Sequence, residues 1–286
     1  MPILRRDVST DLGGKRWADP YTHEGVRPPG GDRAVDSGYG VHDVGTFALG
    51  ADWNYRGVSS PFWRLYHNDA PGAVLRTGGR TCALTPELVW LVPAGVKFDC
   101  EGMPGPRHLW IHFSPGVAAM RDWLEPRAVT ITPPLRALLA WLRRALAERP
   151  PEPWTVGELG QSFLHAVFAA VGPASAPATE PRLRTVLLAI ERCLAQPPEI
   201  AELAQLAHLS ESRFARWFRE AKGETPAAYM RRRRVAEACR RLAFSDDSVE
   251  QVAEALGFAN RFHFGRVFKN VLGETPGAFK RRRGPR

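Results

Sequence analysis

Arginine and lysine side chains recur at one spacing in two related stretches of the chain. Arg216 is followed by Arg219 one helical turn later, and further downstream Arg266 is followed by Lys269 at the same interval. A guanidinium can make a bidentate contact with O6 and N7 of guanine, and either cation can bind a phosphate. The spacing therefore predicts two related surfaces for contact with nucleic acid.

The same two stretches share a longer phrase. GETPAAYMRRRR at 223–234 returns as GETPGAFKRRR at 273–283, and residues 210–233 align without gaps on residues 260–283. A duplicated structural unit is the simplest interpretation. For each arginine run taken alone, the competing interpretation is a solvated helix face.

Each copy carries the signals of a helix-turn-helix. Ser210 or Asn260 can cap a helix with apolar residues at helical spacing, and Gly223 or Gly273 can end that helix. A shorter periodic segment precedes each of these helices, and the second helix of such a unit can lie in the major groove. The two predicted units are residues 199–222 and 248–272.

The helical wheel selects the residues that would face DNA. With Phe214 at the centre of the buried face, Arg216 lies roughly opposite, and Arg266 holds the same position in the second copy. These two arginines are the predicted base contacts, and the basic residues one turn further on are predicted to reach phosphates. The flanking Arg213 and His263 either contact the DNA backbone or are solvated. The full set of candidate DNA-contacting residues is Ser212, Arg213, Arg216, Arg219, Arg261, Phe262, His263, Arg266 and Lys269.

One long helix is predicted between the units, at 226–243. At 1.5 Å per residue it spans about 27 Å, close to the roughly 34 Å between successive major grooves on one side of B-DNA. One monomer could therefore read two adjacent grooves.

The C-terminal stretch resembles the DNA-binding domain of the AraC/XylS family. The resemblance covers LAQLAHLSESRFARWFREAKGETPAAYMRRRRVAEA and VAEALGFANRFHFGRVFKNVLGETPGAFK; the second part carries a Gly-Phe turn, a Phe-x-Arg-x-Phe-Lys helix and a Gly-x-Thr-Pro-x-x-aromatic ending. Three residues depart from the family pattern, Phe262, Gly265 and Arg241, and they bear on the bases that are read.

The resemblance implies a sequence-specific transcription regulator that binds double-stranded promoter or operator DNA, contacts RNA polymerase and forms a homodimer. Whether it acts as an activator or a repressor stays open. No cofactor, metal or catalytic residue is expected.

Charge divides the chain at a Pro/Ala-rich stretch. Residues 1–179 hold 18 basic and 17 acidic residues, whereas residues 180–286 hold 21 basic and 13 acidic residues. The second part therefore carries nearly all of the net charge of +9. A basic surface attracts polyanions through counterion release, although ribosome-bound and membrane-surface proteins share this property. The four scattered cysteines predict reduced thiols, and the absence of a signal peptide or a long apolar run predicts a cytoplasmic protein without a membrane span.

Short strand-like segments broken by Gly and Pro occupy 40–113, which is typical of an all-β sandwich or barrel. LVWLVPAGVKF followed by HLWIHF is similar to the last strands of the cupin-like effector barrel that AraC/XylS proteins often carry. The expected fold class is α+β multidomain, with a cupin-like β-barrel, packing helices and an all-α double helix-turn-helix. The predicted domains are an arm at 1–39 that is either ordered or partly disordered, the barrel at 40–116, a helical packing or dimerisation region at 117–171, a linker at 172–181 and the DNA-binding domain at 182–286.

The barrel offers a weak case for an enzyme and a better one for a small-molecule pocket. His108 and His112 share a strand face, but the His-x-His pair and the glutamate of a cupin metal site do not accompany them. A barrel mouth lined by aromatic and polar groups suits a small polar effector such as a sugar. Alternation puts Arg64 and Tyr66 on one face of their strand and His67 on the other. The candidate effector-binding residues are Arg64, Tyr66, His67, Trp90, His108 and Trp110.

Two alternatives remain beside a ligand-controlled regulator. One is a cupin-type metalloenzyme fused to a helix-turn-helix, and the other is a regulator in which the barrel serves only for dimerisation.

Overall fold

The computed structural model describes residues 6–7, 26, 38–50, 53–116, 123–172 and 181–282. Within these ranges a β domain is followed by helices, as the α+β prediction requires. Most of the arm predicted at 1–39 and most of the linker predicted at 172–181 lie outside the described residues. The strands are β1 (Arg6–Asp7), β2 (Tyr39–Ala48), β3 (Asn54–Val58), β4 (Trp63–Asn68), β5 (Ala73–Thr77), β6 (Arg80–Leu84), β7 (Leu88–Val92), β8 (Phe98–Gly102), β9 (Arg107–Pro115) and β10 (Arg127–Thr130).

The strands form two five-stranded sheets in the orders β1-β3-β8-β5-β6 and β10-β7-β4-β9-β2. Pairing is antiparallel except between β1 and β3. The chain changes sheet after most strands, which is the double-sheet arrangement that jelly rolls and cupins have in common. A closer likeness to cupins stays a prediction.

The inner faces of the two sheets enclose one core. Leu75 and Cys100 from the first sheet share it with Tyr66 and Trp110 from the second. The other face of the second sheet packs on α1 (Pro133–Ala147) and α2 (Pro153–Val171). The predicted leucine stripe of α1 accounts for this packing: Leu135, Leu139, Leu142 and Leu146 are buried, and Leu138 is partly buried.

The region expected at 117–171 to hold packing or dimerisation helices also contains a strand. Arg127–Thr130 form β10, which pairs with β7 and extends the second sheet. Its four residues are too few to show a clear alternation of apolar and polar side chains. The described part of this region thus contains a strand before its two helices, and a role in dimerisation stays a prediction.

Seven helices are described after residue 180, and each helix-turn-helix has its own core. Phe214, Phe218 and Tyr229 are buried in the first, and Phe264, Phe268 and Phe279 in the second. Helix α6 begins in the first core and ends in the second, as the predicted connecting helix should. The first helix of the group was not predicted. The helices are α3 (Pro181–Arg192), α4 (Ile200–Leu206), α5 (Glu211–Lys222), α6 (Pro226–Phe244), α7 (Val249–Ala255), α8 (Arg261–Leu272) and α9 (Pro276–Arg282).

None of the helices in the described ranges is long and apolar enough to cross a membrane. Cys82, Cys100 and Cys239 are buried, and Cys193 is exposed.

Candidate functional site

Helices α5 and α8 begin and end as the sequence predicts. Asn260 accepts a hydrogen bond from the backbone N–H of His263, whereas Ser210 occupies the N-cap position with an extended backbone. Gly223 and Gly273 follow the helices in the left-handed conformation, with φ of 73° and 82°. A residue with a side chain rarely adopts these angles, so both glycines fix where the helices stop.

The candidate DNA-contacting residues lie on the faces of α5 and α8 that point away from the cores. Arg216 and Arg266 are both exposed, at equivalent positions of the two helices. Arg219 and Lys269 are exposed one turn further on. Arg261 forms an ion pair with Glu250. The remaining candidates are the exposed Ser212, Arg213 and Phe262 and the half-buried His263.

The arginine run near the start of α6 makes contacts within the protein instead of forming a DNA-facing surface. Arg232 donates to Glu224 Oε1 at 2.7 and 2.9 Å, and Arg234 donates to the Leu256 carbonyl at 2.5 and 3.2 Å. Arg233 forms a bidentate pair with Glu191 at 2.6 and 2.8 Å. These arginines therefore connect α6 to the elements around it.

The Arg233–Glu191 pair is the most buried of these contacts. Burial by itself would lower the pKa of the Arg233 guanidinium, but the adjacent Glu191 carboxylate raises it above its usual range. Arg233 therefore stays charged, and its charge is balanced inside the protein. Because Glu191 lies at the end of α3, this pair fixes α3 against the connecting helix.

A close backbone contact joins the second helix-turn-helix unit to the loop before the first. Gly257 has a φ of 65° in the turn of the second unit, and a Cβ built on it would lie 1.7 Å from the carbonyl oxygen of Ala195. Ala195 belongs to the loop between α3 and α4, shortly before the first unit begins. Only glycine permits this approach, so the turn of the second unit packs directly on the backbone of the loop between α3 and α4.

The interior of the β domain contains a chain of buried polar groups. Arg64, only 1% exposed, donates to Tyr66 Oη at 3.0 Å and lies 3.3 Å from His112 Nε2. His112 Nδ1 is 3.5 Å from Asp43 Oδ2, which accepts a 2.6 Å hydrogen bond from Trp110 Nε1. An arginine, a phenol, a histidine and a carboxylate thus form a connected series of polar groups in the interior of the β domain.

Five of the six candidate effector residues face this interior. His108 Nδ1 lies 2.7 Å from Asn68 Oδ1, and burial, followed by the charge of Arg143, holds the pKa of His108 well below its ordinary value. Trp90 donates from Nε1 to the Ala83 carbonyl at 2.8 Å. The other three are Arg64, Tyr66 and Trp110.

His67 does not join them, because alternation along β4 turns it to the opposite face. Its Nδ1 accepts a hydrogen bond from Arg143 Nη2 at 2.9 Å, and its Nε2 lies 3.3 Å from the Pro86 carbonyl. Burial and the Arg143 charge lower the pKa of His67 to about 4. His67 therefore belongs to the contact between the sheet and α1, on the strand face that alternation predicts for it, and its role in effector binding stays a prediction.

Sequence reasoning missed a contact between the two domains. The ring of Phe244, the last residue of α6, packs on His42, Phe62 and His112, with centroid distances of 5.4, 5.4 and 6.4 Å. His42 occupies an irregularity in β2 where the register with β9 shifts. Neither the contact of Phe244 nor the irregularity at His42 produces a periodic pattern in the sequence. The one signal that could have indicated this contact was an aromatic residue at the end of a helix.

In the described ranges no three His, Cys, Asp or Glu side chains are grouped so that they could hold a metal ion.

The structure consists of a β domain followed by a double helix-turn-helix. Known proteins have domains similar to each of these. Residues 203–282 match the family described as "Helix-turn-helix domain", which is of the AraC type. A comparison with curated proteins finds no match.

The crystal structure of ToxT from Vibrio cholerae O395 is 10% identical, covers 85% of this chain and 97% of its own, and has a TM-score of 0.52. Unsaturated fatty acid bound wild-type ToxT from Vibrio cholerae strain SCE256 is 11% identical, covers 87% and 96%, and has a TM-score of 0.50. The DNA-binding domain of the global transcriptional factor AdpA, in complex with a target DNA, is 33% identical over 35% of this chain and 89% of its own, with a TM-score of 0.33.

The chain is therefore a DNA-binding transcription regulator with a two-domain fold like that of ToxT. Its residues 203–282 match the AraC-type helix-turn-helix family.

Proposed function

We propose that this regulator binds specific duplex DNA through Arg216 and Arg266 and that a small polar effector, such as a sugar, controls its binding to the promoter. The observation that carries the proposal is the equivalence of these two exposed arginines on the second helices of two units that α6 connects. Two recognition helices on one chain can read two half-sites, and guanine is the base that arginine recognises best. The proposed setting is the cytoplasm, with RNA polymerase and a second copy of the chain as further partners.

Helix α6 supports the reading of two adjacent grooves by one monomer. It is 19 residues long, so it spans about 28 Å. That length is near the separation of successive major grooves on one side of B-DNA.

The effector part of the proposal depends on the polar interior of the β domain. Arg64, Tyr66, Trp90, His108 and Trp110 offer hydrogen-bonding groups beside aromatic surfaces, which suits a sugar. A bound effector could change the regulator only if it binds two arrangements of the domains with different affinity. Phe244 contacts His112, which itself lies beside Arg64, so a change in the interior can reach α6 through adjacent side chains.

The DNA part is tested by selecting fragments from a random duplex library with the full-length protein. The affinity for the best fragment is then measured against a scrambled duplex over a range of salt concentrations. Arg216→Ala and Arg266→Ala should each weaken specific binding by about 1–3 kcal/mol and affect the scrambled duplex less. Arg144→Ala, an exposed arginine on α1, is the matched control and should leave both affinities unchanged. Equal losses on both duplexes would show that the two arginines contact only phosphates.

The effector part is tested by thermal unfolding with panels of monosaccharides and of unsaturated fatty acids, the second because the ToxT structure holds such a ligand. A ligand of the folded state raises the melting temperature in proportion to the logarithm of its concentration. Stabilisation by a sugar supports the proposal, whereas stabilisation by fatty acids alone replaces the polar effector with an amphipathic one. No stabilisation by any ligand favours a β domain that serves only for dimerisation.

A further inference from the structure

One aromatic side chain of α8 points away from the core of its domain. Phe262 is 84% exposed, whereas Phe264 and Phe268 of the same helix are fully buried. Exposure of a phenyl ring to water forgoes the stabilisation that burial would give. An apolar contact outside the domain would therefore stabilise Phe262 more than it would stabilise the polar residues beside it.

The neighbours of Phe262 are oriented by contacts within the domain. Arg261 forms an ion pair with Glu250, and the ring of His263 lies 5.7 Å from the ring of Phe258. The backbone N–H of His263 donates to the Asn260 side chain that caps the helix. These contacts hold the first turn of α8 in place with Phe262 projecting from it.

Open space lies beside Phe262 on the same helix face. Gly265 and Arg266 follow it at three and four residues, so all three lie on one side of α8. A Cβ added at Gly265 would meet no atom within 4 Å. This face thus presents an apolar ring, a recess and an arginine side by side.

The first recognition helix differs at the corresponding positions. Ser212 stands in place of Phe262, and Ala215 in place of Gly265, while the arginines are the same. The two helices should therefore share a preference for guanine but differ at the base beside it. Serine can form hydrogen bonds with several bases, whereas phenylalanine cannot form any.

The major groove has one distinctive apolar feature, the C5 methyl group of thymine. We infer that Phe262 recognises thymine by contact with this methyl group and that the half-site bound by α8 carries a thymine close to the guanine contacted by Arg266. This inference rests on the proposed function, because it requires α8 to lie in a major groove. It makes Phe262 the residue that distinguishes the second half-site from the first.

The test removes the methyl group alone. In the best duplex selected by the full-length protein, each thymine is replaced in turn by deoxyuridine, and the affinities of the wild type, Phe262→Ala, Phe262→Leu and Ser212→Ala are measured at one salt concentration. The wild type should lose about fourfold in affinity at one or two thymines of one half-site. Phe262→Ala should bind the unmodified duplex more weakly and lose nothing further at those positions. Phe262→Leu should retain part of the sensitivity, and Ser212→Ala should retain all of it.

A second arm uses the same position. A cytosine–guanine pair in place of thymine–adenine should weaken wild-type binding, and 5-methylcytosine should restore part of the affinity because it returns the methyl group. Equal deoxyuridine penalties in the wild type and Phe262→Ala, or no penalty at any thymine, would overturn the inference while leaving the proposed function intact. Failure of the wild type to prefer the selected duplex over a scrambled one would overturn both.

Discussion

The imidazole of His42 stacks on the phenyl ring of Phe244, with ring centroids 5.4 Å apart and planes inclined by 25°. His42 belongs to a strand of the β domain, and Phe244 is the last residue of the helix that joins the two DNA-reading units. Burial, and secondarily the charge of Arg240 on the same helix, lowers the pKa of His42 well below its ordinary value. A neutral imidazole is therefore what Phe244 meets, and the contact between the domains is an apolar one.

Loss of this contact should separate the unfolding of the two domains. Phe244→Ala removes a half-buried ring that packs on three side chains of the β domain, so we expect a loss of about 2 kcal/mol, somewhat less than for a fully buried phenylalanine. Calorimetry should then show two transitions in place of one. Phe262→Ala is the matched control, because its exposed ring contributes little to stability. Identical melting profiles for the two variants would show that Phe244 does not couple the domains.

The ion pair of Arg233 with Glu191 should be costly to break on one side. Glu191→Ala leaves a buried guanidinium without its carboxylate, and we expect a loss of about 3 kcal/mol in the free energy of unfolding, measured with urea. The double variant Glu191→Ala with Arg233→Met should recover part of this loss, since no unpaired charge remains.

A surface pair provides the control for that experiment. Arg80 and Glu125 are each 58% exposed, and removal of Glu125 should cost less than about 1 kcal/mol. Equal costs for the two carboxylates would mean that the Arg233–Glu191 pair is hydrated in solution.

Local patterns were sufficient to predict the two helix-turn-helix units, but not helix α3, which precedes them. Apolar spacing, capping residues and the repeated phrase identify both helix-turn-helix units, since all of these signals act within a few residues. The role of the arginine run was not predictable, because the arginines meet their partners only after the helices pack. Arg232 pairs with Glu224, Arg233 pairs with Glu191, and Arg234 donates to the Leu256 carbonyl. The polar contacts from Arg64 to Asp43 likewise form only when the strands pair in the observed register, and the sequence alone does not predict that register.

Gly257 should tolerate no side chain. The Cβ of Gly257→Ala would overlap the Ala195 carbonyl, and its φ of 65° is unfavourable for alanine, so the backbone must move. We expect a loss of about 2–4 kcal/mol in stability, together with weaker binding to any DNA site that spans both recognition helices. Urea unfolding and affinity for the selected duplex measure the two effects.

Gly265→Ala is the matched glycine substitution. Its Cβ meets open space, and alanine favours a helix by up to about 1 kcal/mol over glycine, so stability should stay the same or rise. If both variants were equally stable, the close approach between Gly257 and Ala195 would not exist in solution.

Acid should destabilise the protein partly through His67. The pKa of His67 is about 4 in the folded protein, because burial and Arg143 disfavour the charged ring, and about 6.5 in the unfolded chain. Above about pH 6.5 both states hold a neutral ring, so the contribution of His67 is complete there. Between about pH 6.5 and 4 only the unfolded chain takes up the proton, and stability falls by up to about 1.4 kcal/mol per pH unit, or about 3 kcal/mol in all.

His67→Gln isolates this contribution, because its amide oxygen can still accept the hydrogen bond from Arg143 but does not titrate. The melting temperature of the wild type should decrease more steeply than that of His67→Gln as the pH is lowered from 7 to 4.5. The variant keeps the remaining acid sensitivity of the buried His42 and His108, whose pKa values are also lowered. Parallel profiles for the two proteins would show that His67 is protonated in the folded state and that water reaches its site between the sheet and α1.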